Sequence, residues 1–404
     1  MPPIRVALIG LSSGAATSWA EDAHLPYLLS SRGQSHYRIT ALLNSSLSSA
    51  EAAKKHFDLP STVKAYADPE KLAKDADVDL VVVCTRVDVH AKVVEPSIKA
   101  GKGVFIEWPL TESVERSLSL VSRMPPSQIQ KSIIGLQARV SPVIVKIIDL
   151  LRRHRIGRVL SSSVSTSSHI LPRAAIPEGV AYFLDRKVGG NPITIHYGHM
   201  IDFVHHVLGE FKEGKWNSLG QIQRPEVEIL GGAWTDIVEG KSKVLEVRKT
   251  DVPDLVTTHG ALNGEKEYVK EGATLDVRFR IGPSFKGQPA FTWIITGEDG
   301  EILVIAPSGP HLNSDSYGQP VTIQVHNFKT DRIENEEWDW QPYQKDLLTR
   351  GRSIAELYDR YAEWVEDGCG SVREGRQWPT LEDAMRRAKE IDELLLKFDA
   401  QNDK

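Results

Sequence analysis

Apolar residues in the first third of the chain come in short, unbroken runs, each ended by a glycine or a polar residue. Ile4-Arg5-Val6-Ala7-Leu8-Ile9 stops at Gly10, and Tyr37 to Leu43 stops at Asn44-Ser45-Ser46. Asp79 to Thr85, Lys102 to Glu107 and Ser132 to Gln137 repeat the pattern. Continuous rather than alternating apolar runs predict strands buried on both faces of a parallel sheet. Between them the pattern predicts helices over Ala20–Ser30, Ala50–Phe57, from Asp68-Pro69, over Ala91–Ala100 and over Ser113–Arg123. Strand and helix in strict alternation require right-handed crossovers and a doubly covered parallel sheet.

The pattern changes near residue 140. Val143–His154 is an amphipathic helix, and Val159–Ser168 alternates as a half-buried strand does. A Gly189-Gly190 turn leads towards a helix over Phe203–Leu208. Strand signals then dominate: Ser242–Val247, Thr274–Ile281, Ala290–Thr296 and Ile302–Ile305, separated by Gly, Asn and Asp turns. Helices over Ser353–Trp364 and Thr380–Phe398 close the chain. The expected fold is α/β. A Rossmann-type parallel-sheet domain spans residues 1–140. A C-terminal α+β domain with a mainly antiparallel sheet spans 141–404 and serves substrate binding and oligomerisation.

Composition narrows the function classes. The 404 residues carry 41% hydrophobic and 25% charged side chains and a net charge of -5, so no global basic footprint for nucleic acid is present. Arg152-Arg153-His154-Arg155 reads as a solvated helix end. No apolar run approaches a membrane span, and the N-terminus shows no apolar leader. With Cys84 and Cys369 as the two cysteines, a reducing compartment is expected, cytoplasm or nucleus. His205 and His206 have no cysteine or carboxylate at ligand spacing, so no metal centre is expected.

Ligands of such a sheet bind beyond the carboxyl ends of the strands. Gly10, Asn44, Thr85, Glu107 and Gln137 stand at those ends. The turn Gly10-Leu11-Ser12-Ser13-Gly14 offers bare N–H groups to a pyrophosphate, although it departs from Gly-x-Gly-x-x-Gly and equally suits the opening of any α/β domain. Asn44, Ser45 and Ser46 supply no carboxylate at the adenosine ribose, which permits NADP as well as NAD. The same residues also suit a helix cap.

Five local patterns occur in order: the Ile4–Gly14 turn, Cys84-Thr85 with His90, Glu107-Trp108-Pro109, Gly135-Leu136-Gln137-Ala138-Arg139, and Gly189-Gly190 with His199-Met200-Ile201-Asp202. Together they resemble the glucose–fructose oxidoreductase, inositol dehydrogenase and rhizopine-catabolism (Gfo/Idh/MocA) family across the chain. Asp254-Leu255-Val256 and Gly260-Ala261-Leu262-Asn263-Gly264 are similar to the branch of fungal galactose-regulon repressors. The resemblance implies a nicotinamide dinucleotide held by Gly10, Ser12, Ser13, Gly14, Asn44, Ser45, Ser46, Cys84, Thr85, His90, Glu107, Trp108 and Gln137. It implies His199 as the acid/base, with Tyr197 or His196 helping. Trp108 stands where family dehydrogenases carry a lysine, and Ile195 where they carry an aspartate. An indole exchanges no proton near neutral pH. An aromatic wall at that place suits stacking on a planar ring. Two functions remain open at this point. One is hydride transfer on a sugar or another small alcohol or carbonyl compound. The other is a cofactor-binding transcriptional regulator that recognises a protein such as an activator. Either is expected as a homo-dimer or higher oligomer, without direct nucleic-acid or membrane contact.

Overall fold

The computed structural model describes residues 2–12, 14, 18–168, 171–232, 236–237 and 240–402. The chain divides into two compact units, one of Met1–Val140, Lys187–Gly190 and Trp340–Ala388, the other of Ser141–Arg186, Asn191–Asp339 and Lys389–Lys404.

In the first unit the apolar runs become β1 (Ile4–Ile9), β2 (Tyr37–Leu43), β3 (Lys64–Tyr66), β4 (Leu80–Val83), β5 (Gly103–Ile106) and β6 (Ser132–Ile134). All pair in parallel, in the order β3-β2-β1-β4-β5-β6. The order reverses between β1 and β4, which opens a crevice at their carboxyl ends. Local chemistry sets the helix starts. Ser46 caps Leu47–His56 and Ser113 caps Val114–Val121, each accepting from a backbone N–H of the first turn. Asp68 caps Pro69–Ala73, with proline in the first turn, where no N–H is missed. One expected boundary moves. The helix expected from Ala91 begins at Val87, so His90 lies in its first turn.

The expected single break at residue 140 accounts for only part of this division. Trp340–Ala388 belongs with the first unit rather than the second. The reason is apolar: Ile354, Leu357, Tyr358, Tyr361 and Trp364 of helix Thr349–Glu366 are buried in the same core as Val6, Leu8, Tyr27 and Phe105. Buried polar bonds fix the register. Trp378 Nε1 donates to Ser132 O at 2.9 Å, and Arg139 pairs with Asp383 at 2.8 Å. Against the cost of its burial, Asp383 is held down to about 2, chiefly by Arg139.

The second unit contains β7 (Val159–Ser168), β8 (Ala175–Pro177), β9 (Phe211–Gln221), β10 (Glu226–Gly231), β11 (Lys243–Lys249), β12 (Leu255–Leu262), β13 (Val269–Ile281), β14 (Phe291–Gly297), β15 (Gly300–Ala306), β16 (Thr322–Asn327) and β17 (Arg332–Asn335). Eight form a sheet ordered β17-β16-β15-β14-β7-β13-β12-β9, antiparallel except for β7 against β13. Another three form β11-β10-β8. Phe203, from helix Gly198–Leu208, meets Phe291 and Trp293 of β14 at centroid distances of 6.0 Å. That helix starts earlier than expected, behind a π-helical turn over Ile193–Tyr197, so His196 and His199 are helical. Gly209 ends it at φ 91°, a conformation open to glycine at little cost.

Candidate functional site

Gly10 turns the chain sharply off β1 at φ 95°, and its N–H donates to Leu43 O at 3.0 Å. A Cβ here would lie 2.9 Å from Cys84 O and 3.0 Å from Thr85 Cγ2, so the backbone approaches β4 more closely than any side chain allows. Beyond it Gly14 N donates to Ser12 Oγ at 3.3 Å. Ser13 lies outside the described residues, as do residues 15–17.

The other strand ends carry polar groups whose hydrogen bonds are incomplete. Asn44 is buried and donates from Nδ2 to Leu11 O at 2.8 Å, but Oδ1 has no partner. Thr85 Oγ1, after β4, is shielded and unpaired. Gln137 opens a 3₁₀ turn beyond β6. It is fully buried, and neither its Oε1 nor its Nε2 has a partner. An amide buried with both ends unmade is destabilising by a few kcal/mol unless something supplies the missing bonds. Trp19 Nε1, on the segment after the glycine turn, is likewise shielded and unpaired. Nothing in the sequence singled out Trp19.

Several expected cofactor residues also bond within the protein. Ser46 Oγ accepts from Ser49 N at 3.1 Å as a helix cap, while Ser45 beside it is exposed. His90 lies between two carbonyl oxygens, Thr85 O at 2.8 Å and Pro109 O at 3.0 Å. Burial lowers its pKa, partly offset by those acceptors, so it braces the loops after β4 and β5. Glu107 is buried with Oε1 2.9 Å from His24 Nε2, and His24 Nδ1 lies 2.8 Å from the Tyr358 hydroxyl. With Nε2 donating to Glu107 and Nδ1 accepting from Tyr358, His24 satisfies the whole chain. Burial raises the Cys84 thiol well above its usual range, with Glu107 adding to the shift. Trp108 is buried and joined to Pro109 by a cis peptide bond.

In the second unit His199 is buried, and its Nδ1 is shielded without a partner. Burial, then the nearby His196, pushes it down to about 3. His196 falls to about 4 through burial, against the pull of Asp315. Both imidazoles are therefore neutral at pH 7. Ser168, at the end of β7, links His196 Nδ1 and His311 Nε2, each 3.1 Å from its hydroxyl. The hydroxyl carries one proton, so at most one imidazole accepts from it and at least one donates to it. Asn313 is buried two residues on, with Oδ1 unpaired. Tyr197 points elsewhere. Its hydroxyl meets Thr258 Oγ1 at 3.2 Å and its ring packs edge-on against Phe279, which makes it a sheet contact and leaves His196 in the helper's place. Ser168, His311 and Asn313 carry no local sequence signal, because the strand end and the turn that supply them lie far apart in the chain.

His205 does meet carboxylates: it, Glu210 and Glu390 offer ligand atoms within 4.8 Å of one another, a grouping that sequence spacing missed. Its ring nitrogens are already engaged, Nδ1 with Gly209 O at 2.7 Å and Nε2 with Glu390 at 3.2 Å. No described helix is long and apolar enough to cross a membrane.

Comparison with known proteins gives these features a context. The model of an oxidoreductase family with an NAD-binding Rossmann fold matches residues 4–127. A model of the Gal80p C-terminal domain matches residues 142–306. Dehydrogenase aclE of Aspergillus oryzae is 28% identical over 345 residues, 83% of this chain and 88% of that protein. The galactose/lactose metabolism regulatory protein GAL80 of Kluyveromyces lactis is 28% identical over 270 residues, 65% of this chain and 56% of its own length. Among solved structures, a super-repressor mutant of Gal80p from Saccharomyces cerevisiae superposes with TM-score 0.80 at 20% identity, covering 99% of this chain and 97% of that one. Levoglucosan dehydrogenase in complex with NADH and L-sorbose gives 0.70 at 18%, covering 98% and 97%.

Proposed function

We propose, on the premise that the chain belongs to the Gfo/Idh/MocA oxidoreductase family with a Gal80p-type second half, that it is an NAD(P)-dependent oxidoreductase acting on a small uncharged alcohol or carbonyl compound. The observation that carries the reading is the row of unmade hydrogen bonds at Asn44, Thr85 and Gln137, beside the tight turn at Gly10. Polar, uncharged and placed at strand ends, these groups suit the amide, ribose and phosphate surface of a dinucleotide. A bound dinucleotide would supply or take up the hydride. Gly10 lets the backbone come close, Gln137 presents both a donor and an acceptor, and Trp108 provides an aromatic wall. The absence of a carboxylate on Asn44, Ser45 and Ser46 leaves NADP acceptable beside NAD.

His199 is the group assigned to the substrate's hydroxyl. Held down to about 3, it is a weak base that orients a hydroxyl through its free Nδ1 more readily than it carries a full proton. The neutral set His196, His199, Ser168 and Asn313 suits hydroxyl groups and gives a carboxylate no balancing charge. Leu160, Leu219 and Ile294, exposed on the eight-stranded sheet, support assembly through that face, and the cytoplasm or nucleus remains the proposed compartment.

Trp108 and the weakness of His199 as a base favour a second reading, a cofactor-binding regulator that recognises another protein. Turnover separates the two. NADH and NADPH are offered with a panel of sugars, polyols and cyclic ketones, to the wild type and to His199→Ala. The enzyme reading expects turnover that drops by roughly 10²-fold, the low end for a lost acid/base group, at unchanged cofactor affinity. Cofactor binding with quenched tryptophan fluorescence and no turnover on any compound supports the regulator. Turnover that survives His199→Ala overturns the assignment of that residue.

A further inference from the structure

Neither the strand ends nor the histidine cluster uses a charged surface of the second unit at the end of β13. Arg280 Nη2 donates to Pro283 O at 2.7 Å, and Arg173 Nη2 donates to the same carbonyl at 3.0 Å. Two guanidinium groups thus converge on one neutral acceptor. Gly282, at φ 95°, leaves room for the Arg173 side chain to lie across it. Burial, followed by Arg173, Arg278 and Arg224, lowers the Arg280 pKa, the mark of cations crowding one another. Arg224 is neutralised: its Nη1 donates to Asp254 Oδ2 at 3.2 Å. The other Asp254 oxygen accepts from Gln223 N at 2.7 Å.

Arg173 and Arg224 also line an open hollow whose enclosed part is about 50 Å³. Its walls include Leu171, Ile176, Phe183, Leu184, Val252 and Ile281, and Asp254 is the one carboxylate among the described residues lining it. An apolar hollow with a few convergent polar groups is the usual build of a small-molecule site. Here Arg224 is held by Asp254, and Arg173 is the cation left over among the described lining residues.

We propose that this hollow binds a small organic carboxylate, its apolar body against Leu184 and Ile281 and its carboxylate at Arg173, on the side where Arg280 reaches the same Pro283 carbonyl. Arginine forks match a carboxylate through paired N–H donors, and a bound anion relieves the repulsion among the guanidinium groups. The walls favour this over a bare phosphate, because an inorganic anion would leave them wet. So small an enclosed space, open to solvent on one side, favours a small molecule seated at its mouth over a protein segment.

The test titrates the full-length protein by NMR and calorimetry with benzoate and hexanoate. Benzyl alcohol serves as an uncharged body, inorganic phosphate as an anion without a body, and a short acidic peptide as the macromolecular alternative. Saturating NADH is present throughout, so that the strand-end crevice does not compete. Benzoate and hexanoate are expected to bind at least tenfold more tightly than benzyl alcohol or phosphate. Arg280→Gln and Arg173→Gln should each weaken carboxylate binding about tenfold and leave benzyl alcohol unchanged. Where Arg280→Gln fails to fold, the exposed Arg173 carries the test. Carboxylates no tighter than phosphate, affinity unmoved by Arg173→Gln, or binding of the acidic peptide alone would overturn the proposal.

Discussion

The strand-end rim of the first unit and the histidine cluster of the second both hold buried polar groups, yet they are built in opposite ways. In the rim, Asn44, Thr85 and Gln137 stand apart on separate strands, and each leaves bonds unmade. In the cluster, Ser168, His196 and His311 satisfy one another, and His199 Nδ1 and Asn313 Oδ1 are left over. The rim leaves polar bonds unmade at several strand ends. The cluster is nearly complete alone and offers a ligand a few well-oriented contacts. A long polar molecule suits the first arrangement and a small hydroxylated one the second.

The largest expected effect falls on the rim. Gly10→Val places a branched side chain at φ 95° and within 3.0 Å of the loop after β4. Backbone strain of this kind costs about 1–3 kcal/mol, and the clash with Cys84 and Thr85 displaces the turn itself. NADH and NADPH affinity should fall by three orders of magnitude or more, roughly 4 kcal/mol, while cluster residues keep their NMR shifts. Calorimetry showing undiminished binding would remove the dinucleotide from this turn.

The next effect belongs to the cluster and is read through pH. His196 and His199 have folded pKa values of about 4 and about 3, both below the ordinary imidazole. Between about 6.5 and those values the unfolded chain binds more protons than the folded one, so the contribution is fully present above pH 6.5 and is lost as pH falls. Each site should contribute up to about 1.4 kcal/mol per pH unit inside that window. Urea midpoints at pH 7 and pH 5 should therefore differ for the wild type, and the difference should shrink in a His196→Gln, His199→Gln double variant. Equal shrinkage on removing an exposed histidine such as His56 would refute the burial argument.

The same contrast governs what could be seen in the sequence. β2 and β7 match their expected spans to the residue, because a doubly buried strand and a half-buried one each write their period into the chain. Strand ends follow from strand spans, so the rim was legible in Gly10, Asn44, Thr85 and Gln137. What most side chains do there was not. The Ser46 cap was local and legible, but Glu107 satisfies His24, and His24 meets Tyr358, at separations in sequence that no local pattern records. The cluster was legible only at His196 and His199, since His311 and Asn313 arrive from a turn more than a hundred residues later. The return of helix Thr349–Glu366 to the first unit was hidden for a similar reason: an amphipathic face shows that a helix is covered, not by which core.

A smaller effect of double sign tests whether the rim truly lacks a partner. Gln137→Leu replaces an unpaired amide by an apolar group of similar length. Removing that burden should stabilise the ligand-free protein by about 1 kcal/mol, where most core changes destabilise. Cofactor affinity should fall about tenfold at the same time. A variant both less stable and unaltered in binding would mean that Gln137 bonds within the protein.

The smallest expected effect is cofactor choice, and it follows from how the residues after β2 are used. Asn44 is tied inward to Leu11 O, and Ser46 caps the next helix. Ser45, between them, is exposed, so it is the side chain free to face a ribose. Lys54 is paired with Glu51 at 2.8 Å, which leaves the exposed Lys55 as the nearer cation for a 2′-phosphate. Ser45→Asp adds one charge in water, where two unit charges 4 Å apart interact by only about 1 kcal/mol. The ratio of NADPH to NADH affinity should therefore drop about fivefold, with NADH itself nearly unchanged. Salt should erase much of the difference, because both groups are exposed and the screening length at 0.15 M is about 8 Å. Fluorescence titrations of both cofactors at low and high salt read this directly. A ratio that does not move at low salt would place the ribose away from the end of β2. Cofactor choice would then rest with other residues of the rim, although the tight turn at Gly10 would still hold the pyrophosphate.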